Sequence, residues 1–426
     1  MKLVVKASPL AGEVAIPASK SHTIRALLMG ALADGVSEVV RPLRSSDTES
    51  CVTACEALGA EVTRKSDDVW EVHGTAGTPR PAPQPIDVGN SGTTLFLAMT
   101  VAALARGETE FTGDEQIQRR SAAELMEALR ALGATARSVR DNGCAPLRVG
   151  GPLTGGHVSI ECPTSQYLSS LLIACPLAGG DTTIDVPLLN EAPYVRMTMQ
   201  WLDEMRVSYR ASDDLSRFEI PGGQRYAPFS RTIPGDFSSA AFFLVAAAVT
   251  GSRLLLRGLD MQDSQGDKAV VTMLEAMGCR VLHQSGGILI KGPEELRGGT
   301  FDLNATPDAL PAMAVAGCAA AGVTRLVNVP QARAKETDRI QVMAAELGKL
   351  GARVEELPDG LVVRQSPLKG ASVRGHADHR VVMALAVAGL RAEGETTVDT
   401  AEAVAVTFPG FTHLMQAVGA RMESVP

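Results

Sequence analysis

Aromatic residues are scarce, with 10 Phe, 4 Tyr and 2 Trp in 426 residues, and the formal net charge is −8. Both weigh against nucleic acid, whose phosphates call for a basic surface and whose single strands call for stacking platforms. Long apolar runs are missing as well. Ala240 to Val249, the longest, and shorter runs such as Ala312 to Ala316 fall short of the roughly 18 residues that cross a bilayer, and Met1 to Leu10 has no signal-peptide core. No membrane role is expected, and the cytoplasm is the expected compartment. The cysteines, at 51, 55, 144, 162, 175, 279 and 318, are odd in number and lack CxxC pairs, which argues against a disulfide framework or a zinc site. Buried free thiols are expected instead, with Cys51 and Cys55 on one helix face. What remains is an ordinary globular composition, long enough for two or three domains at about 150 residues each.

The chain repeats itself. An apolar-Gly-small signature closes a helix at Gly59, Gly133, Gly278, Gly351 and Gly419, with a degenerate copy near Met205, at gaps of 68 to 74 residues. A second series interleaves with it: a small polar cluster opens an apolar helix that closes near a glycine and runs into a β-branched stretch. Its markers are Ser21, Ser91, Ser165, Ser238, Asp308 and His379, at gaps of 70 to 74. Six copies of one unit follow, each with two helices and several short strands, and each burying one face against its neighbours. Two groups of three give an α/β protein of two domains, 1–18 plus 236–426 and 19–235. Pro17-Ala18 and Pro234-Gly235 are the expected crossing points.

The polar clusters are helix caps: Ser19 to Ser21, Asn90 to Thr94, Thr164 to Gln166, Asp236 to Ser239, Pro307-Asp308 and Asp378 to Arg380. Any one of them could be no more than a cap. Six equivalent starts pointing one way, however, bring free N–H groups and helix dipoles to a shared end, which attracts anions. Lys20, Arg25, His379 and Arg380 lie in or just after these starts, and Arg120, Lys335 and Arg339 near the openings of the other helix series. An acidic protein that gathers cations there implies a substrate with two phosphate or carboxylate groups. Asp308, after Pro307 in an apolar setting, either caps or holds a raised pKa and can take a proton.

The segments PASKSHTIRALL, DVGNSGTT, FTGDEQIQRRS, TSQYLSS, GDFSSAAFF, TPDALPAMA, AKETDRI and ADHRVVMALA resemble, in order and spacing, those of the EPSP synthase (5-enolpyruvylshikimate-3-phosphate synthase) family along essentially the whole chain. The resemblance implies a two-domain inverse α/β barrel of six similar units, with the active site in the cleft between domains. It also implies a transfer of the enolpyruvyl group of phosphoenolpyruvate to the 5-hydroxyl of shikimate 3-phosphate, with release of phosphate and without metal or organic cofactor. Carried over by position, Lys20, Ser21, Arg25, Thr164, Ser165, Gln166, Asp308 and Lys335 would hold shikimate 3-phosphate. Lys20, Asn90, Gly92, Arg120, Gln166, Arg339, His379 and Arg380 would hold phosphoenolpyruvate. Asp308 would accept the hydroxyl proton, Glu336 would serve at the methylene carbon, and Lys20 would touch both substrates. A monomer is expected.

Four positions depart from the family pattern. Phe96 stands where many members have arginine, Val406 where they have lysine, Glu191 where they have serine near the acceptor phosphate, and Gln331 where they have asparagine. A charge-assisted contact is worth about 1.5 to 3 kcal/mol, so these changes bear on substrate identity more than on reaction class. An enolpyruvyl transferase acting on another phosphorylated alcohol, and a catalytically silent homologue, are the alternatives. The sister family that acts on UDP-N-acetylglucosamine places a cysteine in the loop matching Gly113 to Ser121, and none stands there.

Overall fold

Six four-stranded sheets carry the fold of residues Met1–Pro426 in the computed structural model, and all six have the same pairing pattern. In each, an edge strand runs parallel to a central strand, and two antiparallel strands complete the sheet. Gly156–Cys162 pairs in parallel with Thr182–Leu189, which pairs antiparallel with Arg217–Ile220, and that strand with Arg210–Ala211. An apolar helix leads into the central strand of every copy, and in four of them it bridges the parallel pair, because parallel strands need a crossover. The repeat read from the sequence is therefore a βαβαββ unit.

Three of the six copies are closed by distant segments. Ser230–Thr232 supplies the edge strand beside Val36–Val40, Ala11–Ala15 the edge strand beside Arg253–Arg257, and Lys2–Lys6 lies between Glu395–Asp399 and Arg421–Val425. The chain divides into two compact units, Ala18–Ile233 and Met1–Pro17 with Pro234–Pro426. Ala18 thus belongs to the first of these, and Pro234 and Gly235 to the second, one and two residues from the expected bounds. Each unit has its own apolar core.

The six helices that lead into the central strands are buried around nearly their whole circumference, which makes them interior helices rather than surface ones. Every residue of Phe237–Val249, Leu310–Ala319 and His379–Gly389 is buried, and so is every residue of Gly92–Ala102. Lys20–Leu32 and Ser165–Ala174 are buried except at their first turns. The second helix of each copy is amphipathic by contrast. Ala123–Ala131 buries only Leu125, Met126, Ala128 and Leu129. The cysteines are all free thiols, buried except for partly exposed Cys144.

Five of these six helices start on a side-chain cap. Ser19 accepts from His22 N, Ser91 from Thr94 N, Thr164 from Gln166 N, Asp236 from Ser239 N, and Asp378 from Arg380 N and Val381 N. Such caps are worth about 1 kcal/mol each. The sixth start differs from expectation: Pro307–Ala309 is a 3-10 turn leading into Leu310–Ala319, and no side chain caps it. Asp308 is left for another use.

Candidate functional site

In the unit Ala18–Ile233, Lys20 opens its helix and donates to Asp47 Oδ2 at 2.8 Å. Asp47 sits in the first turn of Ser46–Ala57, so two helix starts meet through one ion pair. Ser21, at the next position, is partly exposed. Arg25 follows one turn on and is only 2% exposed. Its guanidinium donates to Ser21 O, Thr198 Oγ1, Ser169 Oγ and Tyr194 O at 2.9 to 3.2 Å, leaving one of its five N–H groups for a ligand. Burial brings its pKa down to about 10. Arg25 is thus mainly the brace between the first helix and two others.

Thr164 and Ser165 form the start of Ser165–Ala174, and their donors converge on Glu191. Its Oε2 accepts from Ser165 Oγ at 2.8 Å, Ser165 N at 3.2 Å and Thr164 Oγ1 at 3.3 Å. Gln166 reaches across to the neighbouring helix start, where its Nε2 donates to Thr93 Oγ1 at 2.9 Å. Asn90 binds the loop after Phe111, donating to Asp114 and Gln116. Arg120 comes from that same loop, and its Nη1 lies 2.2 Å from where a Cβ on Gly92 would stand. Only glycine lets the guanidinium lie against this helix start. Gly92→Ala is expected to push Arg120 aside; if Arg120 holds phosphoenolpyruvate as the resemblance implies, the KM for that substrate rises about tenfold, the loss of one charge-assisted contact, and an unchanged KM would remove Arg120 from the residues that hold it.

In the other unit the charges are gathered more tightly. Arg339, 1% exposed, opens Arg339–Lys349. Its Nε and Nη2 form a fork on Asp378 at 2.8 and 3.1 Å, Nη1 donates to Asp308 at 2.8 Å, and Nη2 also meets Glu336. Arg380 Nη2 meets the other oxygen of Asp308 at 2.8 Å. Thr337 Oγ1 donates to Asp378 at 3.0 Å. His379 is buried at the head of its helix, and Lys335 is half-buried just before Glu336.

Asp308 neither caps nor holds a raised pKa, contrary to both readings of the sequence. Burial alone would push its carboxyl up, but Arg380, Arg339 and Lys335 outweigh burial and the repulsion of Glu336, and hold it well below the usual carboxylate range. Asp378 is held low by Arg339 against the same burial. Arg339, in turn, is raised above its ordinary value by Asp378, Glu336 and Asp308 despite its own burial.

The structure brings Asp308, Glu336, Arg339 and Arg380 into one network, and joins Gln166 to the start of the Gly92 helix through Thr93. Sequence reasoning missed Asp47 and the second role of Asp378, which both caps its helix and holds Arg339. Asp47 had a signal, a carboxylate following the Ser45-Ser46 helix start. Of the departures, Phe96 is buried edge-on against Tyr167, with ring centroids 5.2 Å apart, and so faces the core. Gln331 is buried and donates to Asn304 O at 2.9 Å. Val406 ends the 3-10 helix Ala401–Val406, next to Phe408 and Phe411, which pack against Phe243.

The family profile described as EPSP synthase (3-phosphoshikimate 1-carboxyvinyltransferase) matches residues 4–415. The chain is 54% identical over 424 residues to a 3-phosphoshikimate 1-carboxyvinyltransferase of Acetivibrio thermocellus, with 100% of both chains covered. It is 50% identical over 425 residues to one of Ruminiclostridium cellulolyticum, again with 100% of both covered. Among solved structures it is similar to an EPSP synthase of Acinetobacter baumannii, with a TM-score of 0.83, 26% identity and 99% of each chain covered.

Proposed function

The chain belongs to the EPSP synthase (3-phosphoshikimate 1-carboxyvinyltransferase) family, and we propose from this that it transfers the enolpyruvyl group of phosphoenolpyruvate to the 5-hydroxyl of shikimate 3-phosphate, in chorismate biosynthesis. The observation that carries the reading is the set of cations held by the chain's own carboxylates: Lys20 by Asp47, Arg339 by Asp308, Glu336 and Asp378, and Arg380 by Asp308. Cations that hold carboxylates in this way match a donor that is both carboxylated and phosphorylated. The enzyme works as a cytoplasmic monomer without a cofactor.

The reaction is an addition followed by an elimination. The acceptor oxygen attacks C2 of phosphoenolpyruvate while C3 takes a proton and becomes a methyl group. The tetrahedral intermediate then loses phosphate from C2 and a proton from C3, which restores the double bond in the product. Asp308 takes the hydroxyl proton, and Glu336 serves at C3. Lys20, Arg120, Arg339, His379 and Arg380 hold the donor, with Gln166 and the N–H groups around Asn90 and Gly92. Thr164, Ser165, Gln166, Ser21, Lys20 and Lys335 hold the acceptor, with Arg25 supplying its remaining N–H.

An aspartate held ionised by two arginines is a weak base. When the donor's anions take over Arg339 and Arg380, Asp308 loses the charges that depress its proton affinity. Its base strength then rises in the ternary complex, where the hydroxyl proton has to be removed. The test is isotopic: in D2O with both substrates, deuterium should enter C3 of the product. Product formed without deuterium at C3 would rule out the addition–elimination path.

A further inference from the structure

We propose that Glu191 is an internal occupant of the acceptor's anion cradle and sets the affinity of the enzyme for its phosphorylated acceptor; the inference rests on the reading that Thr164 and Ser165 hold the acceptor phosphate. Glu191 precedes the helix Ala192–Glu204 with φ 59°. That left-handed conformation costs a non-glycine residue about 1 kcal/mol or more. The residue is also 2% exposed, and carboxylates are seldom buried without a purpose-built set of donors.

Here the donors are a backbone N–H and a hydroxyl from Ser165 and a second hydroxyl from Thr164, all directed at Oε2. One carboxylate oxygen receives three donors at the first turn of a ten-residue helix, as one oxygen of a phosphate would. At the equivalent start Phe237–Val249, which Asp236 caps, Ser238 Oγ donates to Asp267 Oδ2 at 2.6 Å, whereas Glu191 Oε2 collects two hydroxyls and a backbone N–H. Thr164 already fills the capping position of its own helix. The cap is thus in place without Glu191, and the three donors that Glu191 takes are ones an anionic ligand at this start would use.

A phosphorylated acceptor that engages Thr164 and Ser165 must displace this carboxylate or lie against it, and two anions close together in a buried place repel strongly. Glu191 is a specificity-determining residue in this account: it weakens acceptor binding and makes the cradle selective for an anion strong enough to take over its donors.

The experiment compares wild type with Glu191→Gln, which keeps the shape and loses the charge, and Glu191→Asn, which also suits a left-handed backbone. Calorimetric titration with shikimate 3-phosphate, and steady-state KM values for both substrates, are the readouts. Both variants should bind shikimate 3-phosphate at least tenfold more tightly and lower its KM to match, while the KM for phosphoenolpyruvate moves less than twofold. Ser165→Ala should weaken acceptor binding. If Ser165→Ala weakens binding but folded Glu191 variants bind as wild type or worse, the inference is overturned and the cradle reading stands. If Ser165→Ala leaves acceptor binding unchanged, the cradle reading fails and the inference fails with it.

Discussion

Asp308→Asn should cut turnover by about 100-fold or more, the range for a lost general base, while the KM for shikimate 3-phosphate changes by less than a few-fold. The donor should respond in the opposite sense. Asp308 occupies one N–H of Arg339 and one of Arg380 at 2.8 Å each, so removing its charge frees both arginines for phosphoenolpyruvate, and the Kd of the donor should fall several-fold. A variant that turns over slowly yet binds its donor more tightly separates a base that competes for arginines from a residue that merely maintains the fold. The pH profile carries the same test. Asp308 lies well below the usual carboxylate range in the free protein, so it is ionised throughout the physiological range. It should contribute no acid limb to kcat/KM between about pH 5 and 9. Turnover that survives within a few-fold would assign the proton transfer elsewhere, with Glu336 the next candidate.

Arg339→Lys should be more damaging still, although the charge is kept. A guanidinium fork can serve Asp378, Asp308 and Glu336 from one buried position, and an ammonium group cannot match that geometry. Two charge-assisted contacts at about 1.5 to 3 kcal/mol each are at stake for the donor, so the KM for phosphoenolpyruvate should rise by about 100-fold or more. Stability should fall as well, because three carboxylates lose their common partner in a place where breaking a buried pair costs about 3 to 5 kcal/mol. At roughly 2 to 4 °C per kcal/mol for a unit of this size, thermal unfolding should come about 10 °C earlier. Arg339→Lys with wild-type Tm and donor KM would mean that the network is dispensable for both fold and donor.

The repeat was legible because it is local. Six polar starts, six apolar helices and the glycines that end the second helices recur along the chain with no need of tertiary contacts. The caps Ser19, Ser91, Thr164, Asp236 and Asp378 follow from the same local chemistry. The closure of the three incomplete copies was not legible, since the pairing of Ser230–Thr232 with Val36–Val40, of Ala11–Ala15 with Arg253–Arg257, or of Lys2–Lys6 with Glu395–Asp399, joins segments far apart in sequence. Charge networks are hidden in the same way. Asp308 and Arg339 are 31 residues apart and Arg339 and Asp378 39 apart, so the low pKa of Asp308 depends on neighbours that no local window contains. Glu191 was visible as an added carboxylate. That its oxygen meets the Ser165 helix start required the fold.

Acceptor-dependent phosphate release tests the central claim most directly. With phosphoenolpyruvate in excess and shikimate 3-phosphate as the only acceptor, the enzyme should release one inorganic phosphate per acceptor consumed, and unphosphorylated shikimate at the same concentration should support far slower release. No release with shikimate 3-phosphate, or equal release with either acceptor, would contradict the account.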